Sequence, residues 1–215
     1  MGKYGEHIFV RLQFDKGKVK YMDYNTIIKS RIQDAIDLKA VILKNPVLIQ
    51  DIQDAAGMIV QAYRSGNKTL FCGNGGSAAD AQHLAAELSG KFYLDRPPIH
   101  AEACHVNSSF MTAVSNDFGF DAAYSRYIEA VGKKGDVLVA ISTSGNSENV
   151  YQALCKARET GFTCVVLSGP TGGRMAEKAD ILIRVPSDDT PRIQETHILI
   201  GHIICELVES ELFVK

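Results

Sequence analysis

The chain carries almost no excess of charge of either sign, with a formal net charge of -2 over 215 residues. That balance excludes the polybasic surface by which proteins hold nucleic acid or an anionic membrane, so neither is expected as a partner. No run approaches the roughly 20 apolar residues that cross a bilayer. The first residues also lack a continuous apolar stretch ending in a cleavage signal. The five cysteines, Cys72, Cys104, Cys155, Cys164 and Cys205, form no CxxC pair and lie in apolar segments, which excludes a zinc knuckle or a disulfide framework and fits reduced, buried thiols. A soluble, cytoplasmic protein with a small ligand is the expectation. The nucleotide motifs are missing too. Gly73, Gly75 and Ala78 satisfy G-x-G-x-x-A, but the acidic residue that would hold a ribose belongs at the end of the next strand, and Glu102 sits inside it. No glycine-rich loop ends in Gly-Lys-Ser/Thr, which removes the P-loop.

What is present reads as one domain of alternating strands and helices. After an N-terminal extension of unknown role (1–21), apolar residues recur at helical spacing over 23–43 and again over 46–64, giving two leading helices. Five β-rich runs follow, at 68–73, 99–104, 136–142, 163–168 and 180–185. Helices are predicted between them near 77–90, 107–115, 121–132, 147–160 and 171–177, with a long one over about 191–213. Near-continuous apolar strands separated by helices predict a parallel sheet covered on both faces, an α/β/α sandwich. For the last helix, Thr190 is the predicted N-cap and Pro191 the first-turn proline. Its body, "HILIGHIICELVESEL", is apolar around most of its circumference and implies burial in an assembly.

Two strand exits are rich in small and hydroxylic residues: "GNGGS" at 73–77 and "STSGNS" at 142–147. In open α/β sheets ligands sit at such carboxyl ends. Glycine lets backbone amides approach closely, hydroxyls donate hydrogen bonds, and the start of the following helix offers free N–H groups to an anion. A phosphate site is one reading; an ordinary Ser/Thr-capped helix is the other. His83 and Glu87, four apart, share a helix face, either as an i,i+4 pair worth tenths of a kcal/mol or as part of a site. In the last helix "RIQETHILIGH" sets Gln194, His197 and His202 among apolar residues. Together with His83 and Glu87 they make a shared acid-base or metal site worth weighing.

The blocks "CGNGGSAADAQHLAAELSGK", "NDFGF", "GDVLVAISTSGNSENV" and "RIQETHILIGH" resemble the phosphoheptose isomerases of the sugar isomerase (SIS) fold. The resemblance runs from about Tyr24 to Phe213, so the SIS domain with its leading helices spans 22–215. It implies a five-stranded parallel sheet, flavodoxin-like, preceded by a helical hairpin, and a homotetramer with active sites between subunits. The implied reaction turns sedoheptulose 7-phosphate into D-glycero-D-manno-heptose 7-phosphate, the first step toward nucleotide-activated heptose for lipopolysaccharide, capsule or another glycan. By position, the resemblance assigns Asn74, Gly75, Gly76, Ser77, Ser142, Thr143, Ser144 and Ser147 to the sugar-phosphate cradle and Asn116 and Asp117 to the sugar hydroxyls. It assigns His83, Glu87, Gln194 and His202 to one zinc ion per subunit, and Glu87 and His202 to acid-base catalysis. A related SIS-fold regulator that binds the bacterial replication initiator shares the Ser/Thr loop but lacks the catalytic glutamate and the second histidine, both present here.

The chemistry asks for two titratable groups. A proton leaves C1, an enediol forms and a proton arrives at C2. A carboxylate such as Glu87 serves as base where burial lifts its pKa, and a histidine exchanges protons near pH 7. Gln194 and His202 stand eight residues apart, about 12 Å along a helix. His197, one turn from Gln194, is therefore an alternative ligand on geometry, whereas the resemblance favours His202.

Overall fold

The computed structural model describes residues 9–14 and 18–214, with side chains from Asp23 onward. The remainder of the 1–21 extension lies outside the described residues. The chain forms two compact units, Met1–Val41 and Ile42–Lys215.

In the first unit, β1 (Phe9–Phe14) and β2 (Lys18–Asp23) pair antiparallel, Phe9 opposite Asp23 and Phe14 opposite Lys18. The extension, read from the sequence only as a segment of unknown role, thus contributes to a hairpin. Asp23 ends β2 and starts α1 (Tyr24–Leu43): its carboxylate accepts hydrogen bonds from the Thr26 amide and the Thr26 hydroxyl, both at 2.9 Å, which satisfies a donor that a helix start otherwise leaves free. Ile28, Ile32 and Ile36 recur every four residues on α1 and are all exposed.

The second unit opens with α2 (Pro46–Arg64), capped by Asn45, whose side chain accepts from the amides of Val47 and Leu48. The sheet is wholly parallel: β3 (Thr69–Gly73), β4 (Ala101–Ala103), β5 (Val137–Ser142), β6 (Thr163–Ser168) and β7 (Ile181–Arg184) in the spatial order β4-β3-β5-β6-β7. The expected α/β/α architecture is what forms. α3 (Gly76–Ser89) and α7 (Thr190–Phe213) pack with α2 over one face. The opposite face carries a core of Leu70, Cys72, Leu138, Ala140, Cys164 and Val166 packed with residues of α5 (Ala123–Val131) and α6 (Glu148–Thr160). α4 (Ser108–Phe118) precedes α5. All five cysteines are free thiols; four are buried and Cys155 is half-buried.

Three local expectations need correction. The segment expected to be a helix over 171–177 is a 3-10 helix, Gly173–Lys178, because Gly172 and Gly173 both take positive φ and start no α-turn. The N-cap of α7 is Asp189, not Thr190, which is already helical, and no side chain caps that end. The strand expected over 99–104 is only Ala101–Ala103, since Pro97 and Pro98 just before it offer no amide to a ladder.

At the amino end of the sheet, Lys68 and Asp136 form a buried ion pair at 2.5 Å. Asp136 also accepts the amides of Lys68 (3.1 Å) and Lys133 (2.8 Å). The pair ties the start of β3 to the start of β5, the two strands whose far ends carry the Ser- and Gly-rich loops.

Candidate active site

The chain leaves β3 for β4 on one side and returns past β3 to β5 on the other. The strand order therefore reverses between β3 and β5, which opens a crevice at their carboxyl ends. Both loops singled out in the sequence lie there. A reciprocal pair of amide hydrogen bonds joins them: Asn74 Nδ2 to Asn149 Oδ1 and Asn149 Nδ2 to Asn74 Oδ1, each 2.8 Å. Asn149 Oδ1 also accepts the Val150 amide. Below them the buried Tyr124 hydroxyl donates to the Gly73 carbonyl at 2.5 Å, and burial pushes that phenol well above its usual pKa, so it stays a donor.

In the second loop, Ser142 and Ser147 place their hydroxyls 3.2 Å apart, and Ser144 Oγ accepts the Asn146 amide. Ser147 occupies the N-cap of α6 yet makes no side-chain cap bond; Asn149 takes the Val150 amide, which leaves the Glu148 and Asn149 amides to face an anion. Gly145 makes the loop possible. It takes φ +66°, and a Cβ there would fall 2.1 Å from the Gly172 carbonyl oxygen. α3 likewise begins without a side-chain cap, at Gly75. Neither helix start thus carries the Ser/Thr side-chain cap of the alternative reading.

α3 and α7 run side by side in the same sense. Near their starts the Gln194 amide rests on Gly76, where a Cβ would lie 2.6 Å from Nε2. Farther along, Gly201 faces the Leu84 side chain so closely that a Cβ would sit 2.4 Å from it. This close approach brings the neighbouring His202 onto His83. Their Nε2 atoms are 2.8 Å apart, and His83 Nε2 is 3.2 Å from Glu87 Oε1. The three residues offer ligand atoms all within 4.8 Å of one another. His83 is exposed, and Glu87 and His202 are partly buried. Gln194 lies against Gly76, seven residues, about 10 Å of helix axis, before His83 along α3. His197 is fully buried and bonds through Nε2 to the Ser168 carbonyl at 3.1 Å, and burial holds its pKa down to about 4. It belongs to the core at the end of β6. Asn116 and Asp117, at the end of α4, bond to each other at 2.7 Å and lie exposed between Val114 and the exposed Phe118 and Phe120.

The trio suits a zinc ion. Two imidazole nitrogens and one carboxylate oxygen are its usual donors, and a tetrahedral ion with bonds of about 2.1 Å spaces its ligands by about 3.4 Å. The observed 2.8 and 3.2 Å separations fall about 0.6 and 0.2 Å short of that spacing, and the third lies within 4.8 Å, so side-chain rotation alone can open the trio around an ion. Sequence reasoning missed Asn149, whose only signal was a polar residue inside the apolar stripe of α6. It also missed Phe92, whose ring lies 5.7 Å from that of His202.

The SIS domain model matches residues 32–169. The chain is 51% identical over 193 residues to phosphoheptose isomerase 2 of Campylobacter jejuni, covering 89% of this chain and 95% of that protein. Among solved structures, the phosphoheptose isomerase of Neisseria gonorrhoeae aligns with 40% identity and a TM-score of 0.81 over 86% of this chain and 98% of that one. That of Francisella tularensis aligns with 34% identity and a TM-score of 0.84 over 88% of this chain and 100% of that one. With its parallel five-stranded sheet and Glu87 beside a histidine from α7, the chain is an isomerase and belongs to the phosphoheptose isomerases of the SIS domain family.

Proposed function

We propose that this protein converts sedoheptulose 7-phosphate to D-glycero-D-manno-heptose 7-phosphate in the cytoplasm, supplying heptose for a surface glycan such as lipopolysaccharide. The observation that carries the reading is the meeting of His83 and Glu87, on the helix that leaves the first loop, with His202 of α7. The phosphate sits on the hydroxyls of Ser142, Thr143, Ser144 and Ser147 and the first two amides of α6. Asn74, Gly75, Gly76 and Ser77 form the facing wall, which the Asn74–Asn149 pair ties to the first. Asn116 and Asp117 take sugar hydroxyls, and Gln194, lying on Gly76, contacts the substrate between the two ends.

Glu87 removes a proton from C1 as the C2 carbonyl becomes an enediol, and the proton returns at C2. His202 moves protons between the two oxygens, so the aldose forms with no net gain or loss of atoms or electrons. His83, Glu87, Gln194 and His202 are the residues that would hold one zinc ion, and Gln194 reaches it only by turning away from Gly76. When bound, zinc supplies a Lewis acid for the carbonyl and enediol oxygens. A homotetramer is proposed as well, supported by the exposed apolar stripe of Ile28, Ile32 and Ile36 and by Leu199 and Ile203 of α7, each 37% exposed.

The deciding experiment is turnover of sedoheptulose 7-phosphate by purified protein, before and after chelation. Aldose formation supports the reading. Folded protein that forms no aldose with or without added zinc, yet binds a replication initiator, would favour the regulator instead.

A further inference from the structure

Beyond the last turn of α3 lies a buried ion pair that neither the sheet nor the site residues named so far require. Glu209 of α7 and Arg96 of the loop after α3 meet at 2.8 Å, each side chain 2% exposed. The Glu209 carboxylate also accepts the amides of Phe92 (3.1 Å), Tyr93 (2.8 Å) and Leu94 (2.9 Å). Burial alone would raise the pKa of this carboxyl, but the three amides and the guanidinium outweigh it and hold the pKa below the ordinary value. Arg96 spends its remaining donors on the carbonyls that end α3: Glu87 (3.0 Å), Leu88 (2.9 Å) and Gly90 (3.2 Å).

A buried ion pair seldom adds much stability over apolar packing of the same volume. A fully satisfied one does fix a single geometry. Here that geometry ends on the site from both sides. Arg96 grips the backbone of Glu87 itself. Glu209 lies seven residues, two turns, beyond His202 on the same face of α7, and its amide contacts set Phe92, whose ring packs 5.7 Å from that of His202.

We infer that Arg96 and Glu209 are positioning residues for the isomerase: they lock the end of α3 and the Phe92 ring against α7, which sets Glu87 and His202 in register. Neither touches the reacting atoms. The inference rests on the reading given under Proposed function, since it assigns a purpose only if Glu87 and His202 work together.

The test compares Glu209→Gln and Arg96→Lys with the wild type, measuring kcat and KM for sedoheptulose 7-phosphate, zinc affinity by chelator competition, and far-UV circular dichroism. Arg96→Lys keeps the charge opposite Glu209 but loses the fork that reaches the α3 carbonyls. In folded variants kcat and zinc affinity are each expected to fall about 10- to 100-fold, as for other groups that orient metal ligands. KM should stay within about threefold, because the phosphate cradle is held by other residues. A folded variant with wild-type kcat and zinc affinity overturns the inference, and so does a raised KM with unchanged kcat. If Glu209→Gln does not fold, Arg96→Lys decides by the same criteria. An inactive wild type would sink the underlying reading, whereas an active wild type with unaffected variants sinks this inference alone.

Discussion

His83 and His202, 119 residues apart in sequence, bring their Nε2 atoms to 2.8 Å. Two imidazoles meet this closely through one proton: one nitrogen carries it and the other accepts. His83 Nε2 faces Glu87 at 3.2 Å as well, so a proton on it is shared between two acceptors. A cation taken up here needs both Nε2 atoms bare, because histidine binds metal through an unprotonated nitrogen, and each ring then keeps its remaining proton on Nδ1. Metal-free protein is therefore expected to take up about one zinc ion per site at pH 7. His83→Ala and His202→Ala should each lose the zinc. Retention of full zinc stoichiometry by His202→Ala would refute the site.

The phosphate cradle gives a different signature. Ser142 and Ser144 are expected to donate charge-assisted bonds to the phosphate, each worth about 1.5 to 3 kcal/mol. Replacing both by alanine should weaken inorganic phosphate or substrate binding by one or more orders of magnitude while leaving zinc stoichiometry unchanged. Calorimetry on the double variant with phosphate as titrant checks this, and unchanged affinity would place the phosphate elsewhere.

Much of the fold was legible because its signals are local. The apolar runs of β3, β5 and β6 and the helical spacing between them depend on neighbours in sequence, and parallel strands buried on both faces show nearly pure apolar runs. The two loops were legible for the same reason, since glycine and hydroxyl residues at strand ends announce themselves within a few residues. What stayed hidden depends on pairings across the chain. Spacing alone left His197 open as an alternative to His202, because choosing between them needs the rotation of α7. Gly201 against Leu84 sets that rotation, turning His202 toward His83 and His197 toward Ser168. The Arg96–Glu209 and Asn74–Asn149 contacts span 113 and 75 residues. The β1-β2 hairpin escaped because apolar and charged residues alternate only weakly along the segment before Met22.

The Lys68–Asp136 pair makes a claim about stability rather than chemistry. It is buried, at 2.5 Å, with both carboxylate oxygens also accepting backbone amides. Removing one partner of such a pair strands the other charge and costs about 3 to 5 kcal/mol. Asp136→Ala is expected to lose that much in urea unfolding, whereas Asp136→Ala combined with Lys68→Met should recover part of it. A single variant as stable as the wild type would mean that the pair does not hold β3 to β5.

His197 sets a pH dependence that is separable from catalysis. Burial lowers its pKa from 6.5 to about 4, so between those values the unfolded chain binds a proton that the folded protein excludes. Its contribution to stability is therefore complete above pH 6.5 and is lost as the pH falls toward 4, by about 3 kcal/mol at 1.36 kcal/mol per unit. Glutamine at this position keeps a donor for the Ser168 carbonyl but does not titrate. His197→Gln should then lose less stability than the wild type between pH 7 and pH 4, by about that amount, in urea unfolding followed across the range. At pH 7 the same variant should keep turnover within about threefold, because the group it replaces faces β6 and not the His83–His202 pair. Parallel stability curves for the two proteins would show that His197 is not held neutral. Loss of turnover in His197→Gln together with near-normal turnover in His202→Ala would move the acid-base role from His202 to His197.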